Sequence, residues 1–240
     1  MIRSCICLFY ISLSVVAVVA ADDEADRLYA DRANLASARR AAELWRPASA
    51  GTGAGAFDAS WKLARADYWL GGHVPQSESR ATYEEGIAAG RRAIALQPNR
   101  PEGHFWVAAN MGAMAESFGV RQGIKYRKPV KEELEAVLRI DPTFMQGSAD
   151  RALGRWYFKV PGLFGGSDKE SEAHLRASLK YHPTSTASHF FLAELFLDNG
   201  RKTEARTELQ AVINAPLDPE WTPEDQEFKE KAKKALATLK

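Results

Sequence analysis

Three stretches of this chain are variants of one helix ending. Ala93-Ile94-Ala95-Leu96-Gln97-Pro98, Ala136-Val137-Leu138-Arg139-Ile140-Asp141-Pro142 and Ala177-Ser178-Leu179-Lys180-Tyr181-His182-Pro183 all place small and apolar residues at helical spacing and then stop at proline. The prolines lie 44 and then 41 residues apart. Self-similarity on that scale indicates stacked helical hairpins, because one hairpin cannot bury its own apolar face and needs a neighbour to cover it. Between the loops the chain is rich in Ala, Leu, Glu, Lys and Arg, residues that lose little freedom in a helix. No sustained alternation of β-branched and aromatic residues suggests a strand. About ten helices are expected, separated by breaks at Gly71-Gly72-His73-Val74-Pro75, Gln97 to Pro101, Asp141-Pro142, Pro161 to Gly166, His182-Pro183, Asn199-Gly200 and Pro216 to Pro219. Pro47 to Gly55 reads as a flexible linker, and Ser77, Ser167 and Thr222 occupy N-cap positions.

The last unit is the most regular. Leu192-Ala193, Phe196, Gly200, Glu204-Ala205, Leu209 and Val212 put a large residue beside a small one, an aromatic one turn later, a glycine at the helix end and an alanine where the second helix crosses. This spacing resembles the tetratricopeptide repeat (TPR), whose period is about 34 residues. Trp61, Ala64, Tyr68 and Gly72 open an earlier unit, with residues inserted from His73 to Thr82. Val107-Ala108 and Met111 open another, with an insertion around Phe118 to Lys128, and Leu153-Gly154 and Tyr157 a third, with Val160 to Gly166 inserted. The reading is an all-α, TPR-like helical-hairpin solenoid with inserted turns around a central cavity. Its four repeats lie near 58–100, 101–144, 147–185 and 186–219, and a capping helix spans 222–239.

Residues 1–21 read as a secretory signal peptide. Arg3 precedes an uncharged run from Ser4 to Ala21, and Asp22-Asp23-Glu24 ends it. The alternative is an uncleaved anchor, since the run just reaches spanning length. The two cysteines, Cys5 and Cys7, both fall in this segment, so 22–240 has neither a disulfide framework nor a cysteine-based zinc site. Basic residues number 32 and acidic residues 31, a balance that gives no global field for nucleic acid.

A TPR-like array behind a leader, with long turns inside the repeats, resembles the periplasmic T-component (TatT-type) of TRAP transporters. Pro101-Glu102-Gly103-His104-Phe105-Trp106 through Asn110, Gly154-Arg155-Trp156-Tyr157-Phe158-Lys159-Val160-Pro161 and Phe164-Gly165-Gly166-Ser167 carry the resemblance, which covers roughly 56–240. It implies a solenoid curled around a cavity, often trimeric, that partners a periplasmic substrate-binding protein. It also implies a periplasmic or secreted location. The same motifs are more distantly similar to the eukaryotic regulators of microtubule dynamics. T-components are often lipoproteins, and here no cysteine stands at the end of the apolar run.

No catalytic constellation is visible, and neither an enzyme activity, a metal nor a cofactor is expected. The histidines form no His-Glu-x-x-His pair, Gly51 to Gly55 lacks the Gly-Lys-Ser/Thr of a phosphate loop, and no Gly-x-Ser-x-Gly elbow occurs. His104 and His189, near the starts of first helices, read as packing or capping residues. Arg121, Lys125, Arg127, Lys128 and Lys131 fall within eleven residues free of acids; they read as a solvated insertion, with a nucleic-acid or lipid patch or a contact for a partner or anion as alternatives.

The functional surface of a solenoid is its concave face. Phasing each first helix on its motif turns Lys62 and Trp69, Phe105 and Ala109, Arg151, Arg155 and Phe158, and Phe190 and Glu194 inward. Aromatics offer contact area, and two arginines one turn apart suit a carboxylate. The alternative is that the arginines pair with local acids such as Asp150 and the aromatics are core. Two functions follow as expectations. One is uptake through a TRAP-type system with a hydrophobic or amphipathic organic acid as ligand. The other is a scaffold that grips a peptide or partner helix.

Overall fold

A computed structural model describes residues 22–239; the leader expected over 1–21 lies outside them. Eleven α-helices and one 3₁₀ turn occur, and no strand occurs among the described residues. Helix α1 covers 22–30 and α2 Leu35–Ser49. They are followed by α3 Ala56–His73, α4 Gln76–Leu96, α5 Pro101–Ser117, α6 Val120–Ile140, α7 Phe144–Lys159 and α8 Asp168–Tyr181. The last three are α9 Thr186–Asp198, α10 Lys202–Asn214 and α11 Thr222–Thr238, and the 3₁₀ turn is Gly162–Phe164. Consecutive helices pack as antiparallel pairs, and the pairs stack. The architecture is the all-α hairpin solenoid.

The proline endings have one structural form. Helices α4, α6 and α8 each stop two residues before Pro98, Pro142 or Pro183. Their cap residues Gln97, Asp141 and His182 all leave helical geometry, with φ of −142°, −154° and −136°. A proline disfavours helical geometry in the residue before it, so the chain turns at the same place each time. Helix α9 ends differently. Gly200 takes φ +70°, and the Arg201 N–H reaches the Phe196 carbonyl at 2.8 Å, a closure in which a side chain at residue 200 would be strained.

Several local expectations change. Pro47 lies inside the last turn of α2, so the expected linker shrinks to 50–55; the residue before it keeps its hydrogen bond to Ala50. Two of the three insertions are helix rather than loop. Residues 76–82 open α4 and residues 120–128 open α6, making both 21 residues long. Only Val160 to Gly166 is a true loop. It is held by the Ser167 N–H on the Tyr157 carbonyl (2.9 Å), and a Cβ at Gly166 would sit 1.6 Å from the Val160 carbonyl oxygen. Ser167 caps α8 by accepting from the Glu170 N–H, but Ser77 lies within α4 and Thr222 is the first residue of α11, not its cap.

The core runs through the stack in contiguous layers. Trp45, Leu63, Met111, Met114, Leu134 and Leu153 are buried between α2 and α7. Leu175, Leu192, Leu195, Phe196 and Ala205 continue it, and Ala193, Leu209, Val212 and Ala232 complete it against α11.

Helix α11 returns to the start of the chain. Buried Arg32, just after α1, makes a two-pronged ion pair with Glu224 and donates to the Glu220 carbonyl at 2.7 Å. His73, at the end of α3, meets Glu227 at 2.6 Å. The array is therefore bent until its last helix touches its first ones, and α11 closes a ring as well as capping a stack.

Candidate functional site

Inside the ring is a cavity of about 1030 Å³ with a mainly apolar lining. A volume of that order is at the upper end for small-molecule sites. The wall draws on α1 (Tyr29), α3 (Tyr68), α5 (Phe105, Trp106), α7 (Arg151, Trp156), α9 (Phe190, Phe191) and α11 (Phe228). The second helix α6 also contributes, through Tyr126 and Val130. The aromatics pack on one another: Tyr68 lies 5.7 Å from Trp106, and Phe228 lies 5.5 Å from Phe190 and 5.6 Å from Phe191 between ring centroids.

Six of the nine residues expected on the inner face line this cavity: Phe105, Ala109, Arg151, Arg155, Phe190 and Glu194. Lys62, Trp69 and Phe158 do not. Lys62 binds Asp22 and Asp26 of α1, at 2.9 and 2.6 Å. Trp69 is buried, donates its indole N–H to the Arg32 carbonyl (2.8 Å) and stacks on His73. The physical reason is the hairpin α1–α2, which the repeat pattern did not include and which covers that side of α3. Tyr68 faces the cavity instead, one residue or about 100° around the helix. Phe158 packs outward against the Leu175–Leu192 layer. Trp106, Tyr126, Trp156, Phe191, Trp221 and Phe228 were not read from the sequence as lining residues. Apart from Trp221, and Tyr126 in the stretch expected as an inserted turn, these lie in helices expected from the sequence, so for them the missing information was rotation about the axis, not helix position.

The two inner arginines differ in their partners. Arg155 is saturated: it bonds Glu116 of α5 at 2.9 and 2.8 Å and Glu194 of α9 at 2.7 Å, and it covers the Phe191 ring at 4.5 Å. Both acids are 39 residues away in sequence, one before and one after. The same step joins Arg39 to Glu78, Arg46 to Glu85 and Thr186 to Asp225. Across α5, α7 and α9, and at the α2–α4 and α9–α11 contacts, facing side chains thus stand 39 residues apart; between α3 and α5 the offset differs, with Asn110 reaching the Ala64 carbonyl 46 residues away. The α2–α4 contacts extend the stack to the hairpin α1–α2, and the α9–α11 contact places α11 where the first half of another hairpin would stand.

Arg151 lies one turn earlier on α7. The positions in register with it are Gly112 and Phe190, and neither can neutralise it. Among the described residues its guanidinium has no ion pair and no hydrogen bond. Asp150, the local acid considered from the sequence, is bonded to His174 at 2.7 Å instead. Burial pulls the Arg151 pKa below the ordinary arginine value, with Tyr68 and Asp225 as the nearest compensating groups. The wall therefore holds a half-buried cation, without an ion pair, beside aromatic rings. Gln146 and Met145, also in the wall, adopt left-handed geometry (φ +58° and +44°) where the chain enters α7.

His104 and His189 are structural. His104 and His189 each link a preceding proline carbonyl (Pro98 and Pro183, 2.9 Å) to an acid on the next helix, Glu133 and Glu208, at 2.5 Å. No group of three or more His, Cys, Asp or Glu among the described residues could hold a metal, and no described helix is long and apolar enough to cross a membrane.

Fold and cavity together define a TPR-like α-solenoid with an internal cavity. A thermophilic TPR protein from Thermus thermophilus has the same fold: TM-score 0.67 at 19% identity, covering 92% of this chain and 99% of that one. The chain belongs to the family described as Regulator of microtubule dynamics protein 1-3, whose model matches residues 23–164, more than half its length. No curated protein matches the chain.

Proposed function

We propose that the protein is a non-catalytic binding module whose cavity holds an amphipathic organic anion. The anionic group pairs with Arg151 and the apolar part lies along Phe105, Trp106, Phe190 and Phe191. The observation that carries this reading is the contrast between the two arginines, one fully paired and the other bare in an aromatic wall. A half-buried cation with no partner in an aromatic wall is free to form a charge-assisted pair with an anionic ligand. The leader-like segment 1–21 supports an extracytoplasmic setting. In that setting we place the ligand in a TRAP-type uptake system, exchanged with a substrate-binding protein. A peptide held through an acidic side chain is the scaffold version of the same site.

The test uses the fluorescence of 1-anilinonaphthalene-8-sulfonate, an aromatic anion, and its displacement by decanoate. Arg151→Gln is expected to weaken probe binding by about tenfold, the loss of one charge-assisted contact. Gly112→Glu places an acid in register with Arg151, where an added side chain meets open space. It is expected to abolish binding while raising the melting temperature, since glutamate is also the better helix former. Unchanged probe affinity in both variants would overturn the proposal. An acidic peptide that displaces the probe when decanoate does not would favour the scaffold version.

A further inference from the structure

The three most exposed large apolar side chains of the described chain are Leu163 (91% exposed), Val120 (80%) and Ile124 (58%). They lie on two segments that meet at one rim of the cavity. Val120, Gly123, Ile124 and Arg127, spaced as one face of the first turns of α6, line the cavity together with Val160, Pro161 and Phe164 of the loop after α7. The Arg127 guanidinium lies over the Phe164 ring at 5.0 Å and joins the two segments. The apolar tips stand among cations. Residues 118–131 contain Arg121, Lys125, Arg127, Lys128 and Lys131 and no acid, and residues 159–167 add Lys159 and no acid. Lys128 and Lys131 make long contacts with Glu132 and Glu135 (3.5 and 3.8 Å). Lys159 lies 3.9 Å from Glu194. Arg121, Lys125 and Arg127 form no ion pair among the described residues.

We infer that this rim is a docking surface for an anionic lipid bilayer, with Leu163, Val120 and Ile124 entering the headgroup–acyl boundary and the cations meeting the lipid charges. The shape of the surface favours a bilayer over a protein. Leu163 projects from the tip of a 3₁₀ turn and Val120 from the first turn of a helix, so the apolar groups are separate protrusions rather than a groove for a partner's side chain. Protruding apolar residues flanked by Lys and Arg are the arrangement that holds a protein in a membrane interface, and each added cation strengthens attraction to an anionic leaflet. The net charge of the whole chain, only +1, makes the concentration of cations at this rim a local feature. The inference stands independently of the ligand assigned to the cavity.

The experiment is vesicle flotation of residues 22–240, the part that carries every described element, freed of the apolar leader that would bind lipid by itself. Vesicles are phosphatidylcholine alone or with one third phosphatidylglycerol. The expected result is flotation with the anionic vesicles, weakened by salt because exposed charges are screened. Ile124→Asp with Leu163→Asp, and separately Arg121→Gln with Lys125→Gln and Arg127→Gln, are each expected to lower lipid affinity about tenfold or more. Melting temperatures should change little, because these positions are exposed apart from the half-buried Arg127, whose loss removes only one cation–ring contact. Arg151→Gln should float like the parent, which separates this inference from the ligand proposal. Equal flotation with both vesicle types, or flotation insensitive to both sets of variants, overturns the inference. So does failure to float with the anionic vesicles; rim-dependent capture of an acidic protein would then make the surface a protein interface.

Discussion

Closure of the ring depends on a pair that can be broken by one atom type. The Arg32 side chain is 3% exposed and that of Glu224 is 23% exposed. The guanidinium gives both its Nε and one terminal nitrogen to the two carboxylate oxygens, and the same terminal nitrogen reaches the Glu220 carbonyl. Tyr29, Trp69 and Trp221 surround it, with ring centroids 4.9, 5.4 and 5.8 Å away. Glu224→Gln keeps the shape and removes the charge, leaving a buried cation without its counter-ion. Breaking one side of a buried pair costs about 3–5 kcal/mol, and the residual exposure of Glu224 places this case at the lower end, about 3 kcal/mol. For a chain of this size that corresponds to a fall in melting temperature of about 6–12 °C. The assay is thermal unfolding followed by circular dichroism. Glu43→Gln serves as control: its partner Arg40 and Glu43 itself are each 55% exposed, and loss of such a pair costs less than about 1 kcal/mol. Replacing both partners, Arg32→Met with Glu224→Leu, should recover most of the loss, because the penalty lies in the unpaired charge. A fall under about 2 °C for Glu224→Gln would show that α11 is held by its apolar contacts alone, and the account of ring closure given above would be wrong.

Stability should also depend on pH in the imidazole range. Burial works against the charged form of His73 and His189, but bonds to Glu227 and the Trp69 carbonyl, and to Glu208 and the Pro183 carbonyl, outweigh it; for His104 the bond to Glu133 is the leading cause. All three folded pKa values are raised, so their stabilisation is complete below the ordinary value of 6.5 and is lost as pH climbs through the folded values. The melting temperature should therefore decline above about pH 6.5, and replacing the three histidines by glutamine should flatten that decline; an unchanged slope refutes the assignment. Separately, Gln146→Gly should raise stability by up to about 1 kcal/mol, because glycine adopts the left-handed geometry without strain. A loss instead would mean that the exposed Gln146 side chain has a role in the cavity wall.

The class of fold was legible because its signals are local. A proline after a helix, a glycine at a helix end and an alanine at a crossing act within a few residues, and Pro98, Pro142, Pro183, Gly200 and Ala205 each carry one of them. Whether an insertion is loop or helix was not legible in the same way. His73 to Thr82 and Phe118 to Lys128 hold too many residues for a standard repeat, and their composition suits a helix, but the TPR comparison placed the excess in the turns. The N-terminal hairpin was missed for a related reason: α2 has no proline ending like the others, and Pro47 looked like the start of a linker although it sits in the last turn of a helix.

The candidate site was legible only in part, because its key property is a relation between repeats. Along one helix Arg151 and Arg155 are equivalent: same residue type, same face, one turn apart. Their environments are set by what stands 39 residues to either side. For Arg155 those positions are Glu116 and Glu194, and the charge is spent holding α5, α7 and α9 together. For Arg151 they are Gly112 and Phe190, so the charge is left facing the cavity. The sequence contains both sets of residues, but the proline spacings of 44 and 41 do not reveal the local step of 39 across α5, α7 and α9, because helix ends and facing side chains need not repeat at the same distance. Across α5, α7 and α9, where this step holds, the positions facing an inner side chain can be found by counting. An inner charge lacking a complement at both neighbouring positions then becomes the feature to look for, since the stack itself leaves it free for something else to bind.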